Sequence, residues 1–189
     1  VVIGHSFGGL IAQQLADKGF SAVTVAIDPV GFRGVLPLPL AELKSGAPVL
    51  SNPANYHRAV SLTFEQFRYG FVNMLEEEEA HALYEKFAVP GSGMPVFQAA
   101  AANLNPWTED QVNTKNIARG PLLLIAGEKD HTVPMTVVKA AYTLQKNNPA
   151  VTEFHEMPNR GHSLTIDHGW REVAETALSF ITRHLKIGQ

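Results

Sequence analysis

Val1-Val2-Ile3-Gly4-His5-Ser6-Phe7-Gly8-Gly9-Leu10-Ile11-Ala12 decides how the rest of the chain is read. An apolar run enters a Gly-x-Ser-x-Gly turn and leaves it as a helix. A serine at so sharp a strand-to-helix turn has a strained backbone and a side chain pushed outward, which makes Ser6 a candidate nucleophile. Gly4 and Gly8 are expected to flank it because a Cβ at either position would collide with the neighbouring strand or helix. Gly9, Ala12 and Ala16 are expected to keep the helix thin against a sheet. Its apolar side is read as Leu10, Ile11 and Leu15, and its polar side as Gln13, Gln14, Asp17 and Lys18. The helix N-terminus brings N–H groups and the positive end of a dipole beside Ser6, and the N–H of Phe7 is a candidate oxyanion donor.

Strand and helix signals alternate through the remainder. After the helix ending near Lys18, with Gly19 closing it, residues 21–28 read as a short buried strand stopped by Pro29. Pro121-Leu122-Leu123-Leu124-Ile125-Ala126-Gly127 is nearly all apolar, as in a parallel strand covered on both faces. A helix from Met135 to Lys146, with Pro134 at its start, a strand from Val151 to Met157 and a helix from Gly169 to Leu185 follow. The last helix places Val173, Ala177, Phe180, Ile181 and Leu185 on one face.

Residues between Asp28 and Pro121 have another texture. They open Pro/Gly/Leu-rich and then turn helical, with Phe64, Phe67, Phe71 and Leu75 at helical spacing. A second helical segment runs from Glu76 to Phe87 and a third from Pro95 to Asn103. The four glutamates Glu76–Glu79 are read as a solvated helix N-terminus.

Two further residues carry chemistry. Asp130 follows the strand ending at Gly127, where a carboxylate can orient an imidazole, and Asp28, at the end of the preceding strand, is its rival. His162, in Pro158-Asn159-Arg160-Gly161-His162-Ser163, lies on a loop after a strand with a glycine before it to free the backbone. It is the candidate general base. The other histidines have weaker contexts. His131 adjoins the acid, His155 lies within a strand, His168 begins a helix, and His57, His81 and His184 read as surface or cap positions. His5 is expected to support the serine rather than move protons.

Composition narrows the classes. A net charge of −3 gives no electrostatic footprint for nucleic acid or acidic membranes. The absence of cysteine excludes a disulfide framework and thiolate metal sites. No apolar run approaches the ~20 residues of a membrane span. Spacing offers no metal motif of the His-x-x-x-His kind, so no metal is expected. The chain reads as cytoplasmic, with an upstream signal peptide left open.

The order Ser6…Asp130…His162, each after a strand, resembles the α/β-hydrolase superfamily over essentially the whole length, most of all the cap-bearing bacterial serine hydrolases and esterases. The resemblance implies an α/β fold of about four mostly parallel strands flanked by helices, the C-terminal part of the family's fold. It implies a core over residues 1–29 and 119–189, a helical cap insertion over residues 30–118, and no cofactor. A serine at the turn points to acyl transfer through an acyl-enzyme, unlike the family's aspartate-based dehalogenases and epoxide hydrolases. The family sheet has further strands before the serine, and its second oxyanion donor lies there. The isolated chain is therefore expected to expose apolar surface at its first strand, to aggregate or need a partner segment, and to catalyse poorly.

The leading functional reading is hydrolysis of an ester or related acyl bond in a small, hydrophobic substrate. Ser6 attacks, His162 shuttles the proton, Asp130 orients His162, and Phe7 N–H holds the oxyanion. Phe64, Phe67, Tyr69, Phe71, Met74, Met94, Phe97 and Trp107 are the apolar side chains available to line its pocket, although packing among the cap helices explains most of them. Alternatives with the same triad are a cofactor-free perhydrolase or haloperoxidase, an acyltransferase and a C–C bond hydrolase. Outside catalysis, the alternatives are a ligand receptor on this fold and an inactive fragment.

Overall fold

The computed structural model describes residues 1–185, so the last four residues of the 119–189 segment lie outside the described residues. Four parallel strands, β1 (Val2–His5), β2 (Thr24–Ile27), β5 (Leu122–Gly127) and β6 (Thr152–Met157), form one sheet in the order β1-β2-β5-β6. Helices α1 (Phe7–Asp17), α6 (Met135–Gln145) and α7 (Trp170–His184) flank it. Together they make a parallel α/β layer structure. Because the strands run parallel, their C-terminal ends share one edge. His5, Ile27, Gly127 and Met157 end there, and the loops that follow them meet.

The apolar run of β5 behaves as its composition demands. All six of its residues are buried. Leu122, Leu124 and Ala126 join Leu10, Val137, Val138 and Ala141 on the α1/α6 side. Leu123 and Ile125 join Val173, Ala177 and Phe180 of α7 on the other. This period-two split fixes register, since a one-residue slip would exchange the two faces. Each fully buried aliphatic side chain contributes ~1.5–3 kcal/mol, so these two clusters dominate over strand propensity.

The first helix departs from its expected faces. Ile11 is 53% exposed, whereas Gln13 and Asp17 are buried. Gln13 accepts from Gln145 Nε2 at 3.2 Å and donates to Gly9 O, while Asp17 Oδ2 accepts the Asn113 N–H. These polar groups are satisfied across element boundaries, which hydrophobic periodicity does not register. Ile3 on β1, an edge strand of this sheet, and Val1 just before it are exposed as well.

Between β2 and β5 lie α2 (Leu40–Leu50), a 3-10 helix (Pro53–His57), a two-stranded antiparallel pair β3 (Ala59–Val60) and β4 (Gly91–Ser92), α3 (Phe64–Gly70), α4 (Glu77–Phe87) and α5 (Met94–Ala101). Helix α2 was not expected. Gly46 and Pro48 in its second half mask it, and packing on α3 and α5 overrides that composition. Helix α3 starts at a Thr63/Gln66 capping box and stops at Gly70, short of the expected Leu75. The chain turns there, yet Val72 and Leu75 still pack with Phe67, Ala80 and Leu83.

The glycines at the β1–α1 turn differ in role. A Cβ on Gly4 would lie 1.9 Å from Gly8 O, and one on Gly9 2.9 Å from Pro29 Cα, but one on Gly8 would meet nothing within 4 Å. The close approach is made by Gly4 and Gly9, not by Gly8 as expected. Gly4→Ala should therefore lower unfolding stability by at least ~3 kcal/mol, the upper end of ordinary overpacking. Gly8→Ala should be neutral or stabilising by up to ~1 kcal/mol. Urea denaturation of both variants checks this, and comparable losses at the two positions would contradict it.

Candidate active site

Ser6 sits between β1 and α1 with φ 57° and ψ −121°, in the left-handed region that costs a non-glycine residue ~1–3 kcal/mol. Its N–H donates to Ile27 O at 2.9 Å, and its carbonyl accepts from Gly9, Leu10 and Val30. Phe7 is the first residue of α1, so its N–H has no intrahelical acceptor.

The loop after β5 carries Asp130, which is buried. Asp130 Oδ1 accepts the Thr132 and Val133 N–H groups at 2.7 and 2.9 Å, and Oδ2 lies 2.6 Å from His162 Nδ1. His162 is fully buried, and its Nε2 has no hydrogen-bond partner. The structure thus joins Asp130 to His162, but no hydrogen bond links Ser6 to His162. The His5 ring stands 4.5 Å from the His162 ring, centroid to centroid, and Phe71 makes an edge contact with it at 5.2 Å. Asp28 does not bond His162. Its Oδ1 accepts the Gly127 N–H at 2.7 Å.

The His162 loop is braced from both sides. Arg160 pairs with Asp167 and donates to the carbonyls of Leu164 and Gly169. Ser163 N–H donates to Phe71 O, and Asn73 Nδ2 donates to Lys129 O. Gly161 serves close approach rather than backbone freedom. A Cβ there would lie 2.5 Å from Asn73 Oδ1, and the left-handed residue of this loop is Asn159. His131 Nδ1 lies 2.9 Å from Tyr69 O. His168 precedes α7 by two positions and pairs with Glu79, so this glutamate ties α4 to the His162 loop instead of only facing solvent. Of the expected lining aromatics, Phe67 packs within the helical segment and Trp107 is 85% exposed, while Phe71 touches His162.

Electrostatics here follow burial. Desolvation, with a smaller push from His162, lowers the His5 pKa to about 3. Desolvation and the nearby Asp130 raise Asp28 well above the ordinary carboxyl value. Glu42 on α2, unmarked in the sequence, is raised to about 7 by burial and by Asp130, and its Oε2 has no partner. Its position in a Pro/Gly/Leu-rich stretch concealed it.

Residues 1–176 match the alpha/beta hydrolase family, and the chain belongs to that family. No curated protein matches it in sequence. Among solved structures, it is similar to a monoacylglycerol lipase of Paleococcus ferrophilus, with 18% identity and a TM-score of 0.59 over 97% of this chain and 68% of that one. A bromoperoxidase of Bacillus anthracis aligns with 17% identity and a TM-score of 0.60 over 95% and 66% of the respective chains. A meta-cleavage product hydrolase of Pseudomonas fluorescens aligns with 16% identity and a TM-score of 0.58 over 96% and 64%. At these identities the likeness establishes the fold. The chain spans about two thirds of the length of these structures. Among the described residues, no helix is long and apolar enough to cross a membrane.

Glu42 sets a pH dependence of stability. Its folded pKa of about 7 exceeds its ordinary 4.5. Between those values the folded chain keeps a proton that the unfolded chain releases, so stability falls as pH rises through the window. Glu42→Gln should remove that loss, making the urea midpoint flatter from below pH 4.5 to above pH 7. An unchanged slope would show that Glu42 does not carry it.

Proposed function

We propose that this chain carries the catalytic residues of a serine hydrolase acting on ester or related acyl bonds. The observation that supports this best is Ser6 at positive φ on the same sheet edge as a buried Asp130–His162 pair whose Nε2 is free. Ser6 Oγ attacks the substrate carbonyl. His162 Nε2 takes the Ser6 proton as the tetrahedral intermediate forms and returns it to the leaving group. Asp130 holds His162 Nδ1–H, which fixes the tautomer that leaves Nε2 as acceptor. The Phe7 N–H, at the positive end of α1, donates to the oxyanion. Ser6 Oγ and His162 Nε2 close to hydrogen-bond distance as substrate enters, since catalytic bonds of this kind tighten in the Michaelis complex.

Residues 30–118 form the cap. Phe71 lies against His162, so substrate approaching the serine meets an apolar wall, which favours a small hydrophobic acyl group. The solved structures aligned above are titled lipase, bromoperoxidase and meta-cleavage product hydrolase. Ester hydrolysis and C–C bond hydrolysis with this triad need only water beside the substrate, whereas bromination also needs peroxide and bromide.

The test uses p-nitrophenyl acyl esters and a fluorophosphonate probe. Labelling at Ser6 and slow ester turnover are expected. Ser6→Ala should remove labelling and reduce kcat on the order of 10⁴–10⁶-fold, and Asp130→Asn on the order of 10⁴-fold. Turnover that survives Ser6→Ala would sink the proposal. Peroxide-dependent bromination or cleavage of a vinylogous diketone, in the absence of ester turnover, would move the chain to the corresponding alternative.

A further inference from the structure

We infer that His5, Asp28 and His162 together form a binding site for a divalent transition-metal ion of the zinc type. One ligand atom from each of the three residues lies within 4.8 Å of the other two. Among the described residues, three buried polar atoms there have no hydrogen-bond partner: His5 Nε2, Asp28 Oδ2 and His162 Nε2. A buried polar atom left unpaired carries the full cost of its desolvation. Three of them, one on each residue of a single cluster, are better explained by a shared ligand than by three separate defects.

The surroundings aim these atoms. Asp28 Oδ1 is held by the Gly127 N–H and His162 Nδ1 by Asp130, which leaves the opposite atom of each group to face the cluster. The second contact is the carboxylate–histidine support that orients metal-bound imidazoles and raises their basicity. Two imidazole nitrogens and one carboxylate oxygen, with Asp28 releasing its proton to solvent as the ion binds, suit zinc, cobalt, nickel or copper, and not the all-oxygen preference of magnesium or calcium. Three protein ligands leave a fourth position of the tetrahedron open. Zinc–ligand distances of about 2.0–2.1 Å give a tetrahedral edge of about 3.3–3.4 Å, so a pair of ligand atoms at the 4.8 Å limit closes by about 1.4 Å as the ion binds. His5, half-buried on the edge strand β1, is the least confined of the three.

Binding itself does not depend on the serine hydrolase reading, but its consequence does. A metal on His162 Nε2 occupies the lone pair that would accept the Ser6 proton, so the ion would inhibit.

Titration calorimetry with Zn²⁺ and visible absorption with Co²⁺ on the purified protein test the site. One equivalent of each metal should bind, Co²⁺ should develop ligand-field bands, and Mg²⁺ and Ca²⁺ should not compete. His5→Gln and Asp28→Asn should each weaken Zn²⁺ by at least ~100-fold, and Asp130→Asn by ~10–100-fold, as loss of an outer partner does. Ser6→Ala should leave metal affinity unchanged. Melting curves of the metal-free variants separate loss of the site from loss of the fold. A featureless Co²⁺ spectrum in the wild-type protein, which needs no variant to fold, would overturn the proposal. So would Zn²⁺ affinity that persists in both folded ligand variants. Stoichiometric binding without inhibition of ester turnover would leave the metal site standing and count against His162 as the base.

Discussion

A serine backbone held at positive φ is the constraint on which the site-bearing edge of this sheet depends. The conformation is unfavourable for any residue with a Cβ, and it is sustained by bonds both within the turn and beyond it. It is held because Ser6 bonds β2 through its N–H and three separate N–H groups through its carbonyl. It also requires α1 to leave β1 at a distance that only Gly4 and Gly9 permit. Pro29 closes the arrangement from the far side, since Gly9 rests against its Cα. The strain at one residue is therefore offset by register between β1 and β2, by helix placement and by the first residues after β2. A change in any of these would release Ser6 into an ordinary turn.

The second half of the edge is held differently. Asp130 and His162 sit on loops, where side-chain positions are normally variable. Here the loops are cross-braced. Glu128 Oε2 accepts the Asn159 N–H, and Lys129 N–H donates to Arg160 O. The segment after α3 adds Phe71 O and Asn73 as struts, and Glu79 of α4 adds another through His168. The helices between β2 and β5 are thus mechanically part of the acid and histidine loops. Movement of α3 or α4 would be felt at His162 before it was felt in the sheet.

The strands, α1, α6, α7 and the pairing of Asp130 with His162 were legible because each depends on local pattern: apolar runs, glycine punctuation, and position after a strand. What escaped the sequence depends on non-local packing. Ile11 and Gln13 exchanged their expected exposure because amide partners lie on a helix distant in sequence. Helix α2 was hidden by Gly46 and Pro48, and with it Glu42, whose significance comes from a neighbour 88 positions away along the chain, Asp130. Gly161 was correctly singled out for the wrong reason. Its value is room for Asn73, which no inspection of the loop alone supplies. The proximity of His5, Asp28 and His162 likewise arises from three different strand ends, so spacing along the sequence carries no trace of it.

Two carboxyls and two imidazoles crowd this edge with little solvent, and they cannot all carry charge. Hydrogen bonds decide how the burden is divided. Asp130 accepts two backbone N–H groups and lies 2.6 Å from His162 Nδ1. Asp28 is driven toward the neutral acid by burial first and by the field of Asp130 second, against the opposing pull of the Gly127 N–H. His5 is neutral for the corresponding reason on the cationic side. Burial penalises its charged form, and His162 adds to the penalty. This asymmetry answers which carboxyl pairs with His162, a choice that strand position alone left open between Asp28 and Asp130. It also explains why the discarded partner stays in the core. A neutral Asp28 can hold the Gly127 N–H at the end of β5, where the loop to Asp130 begins.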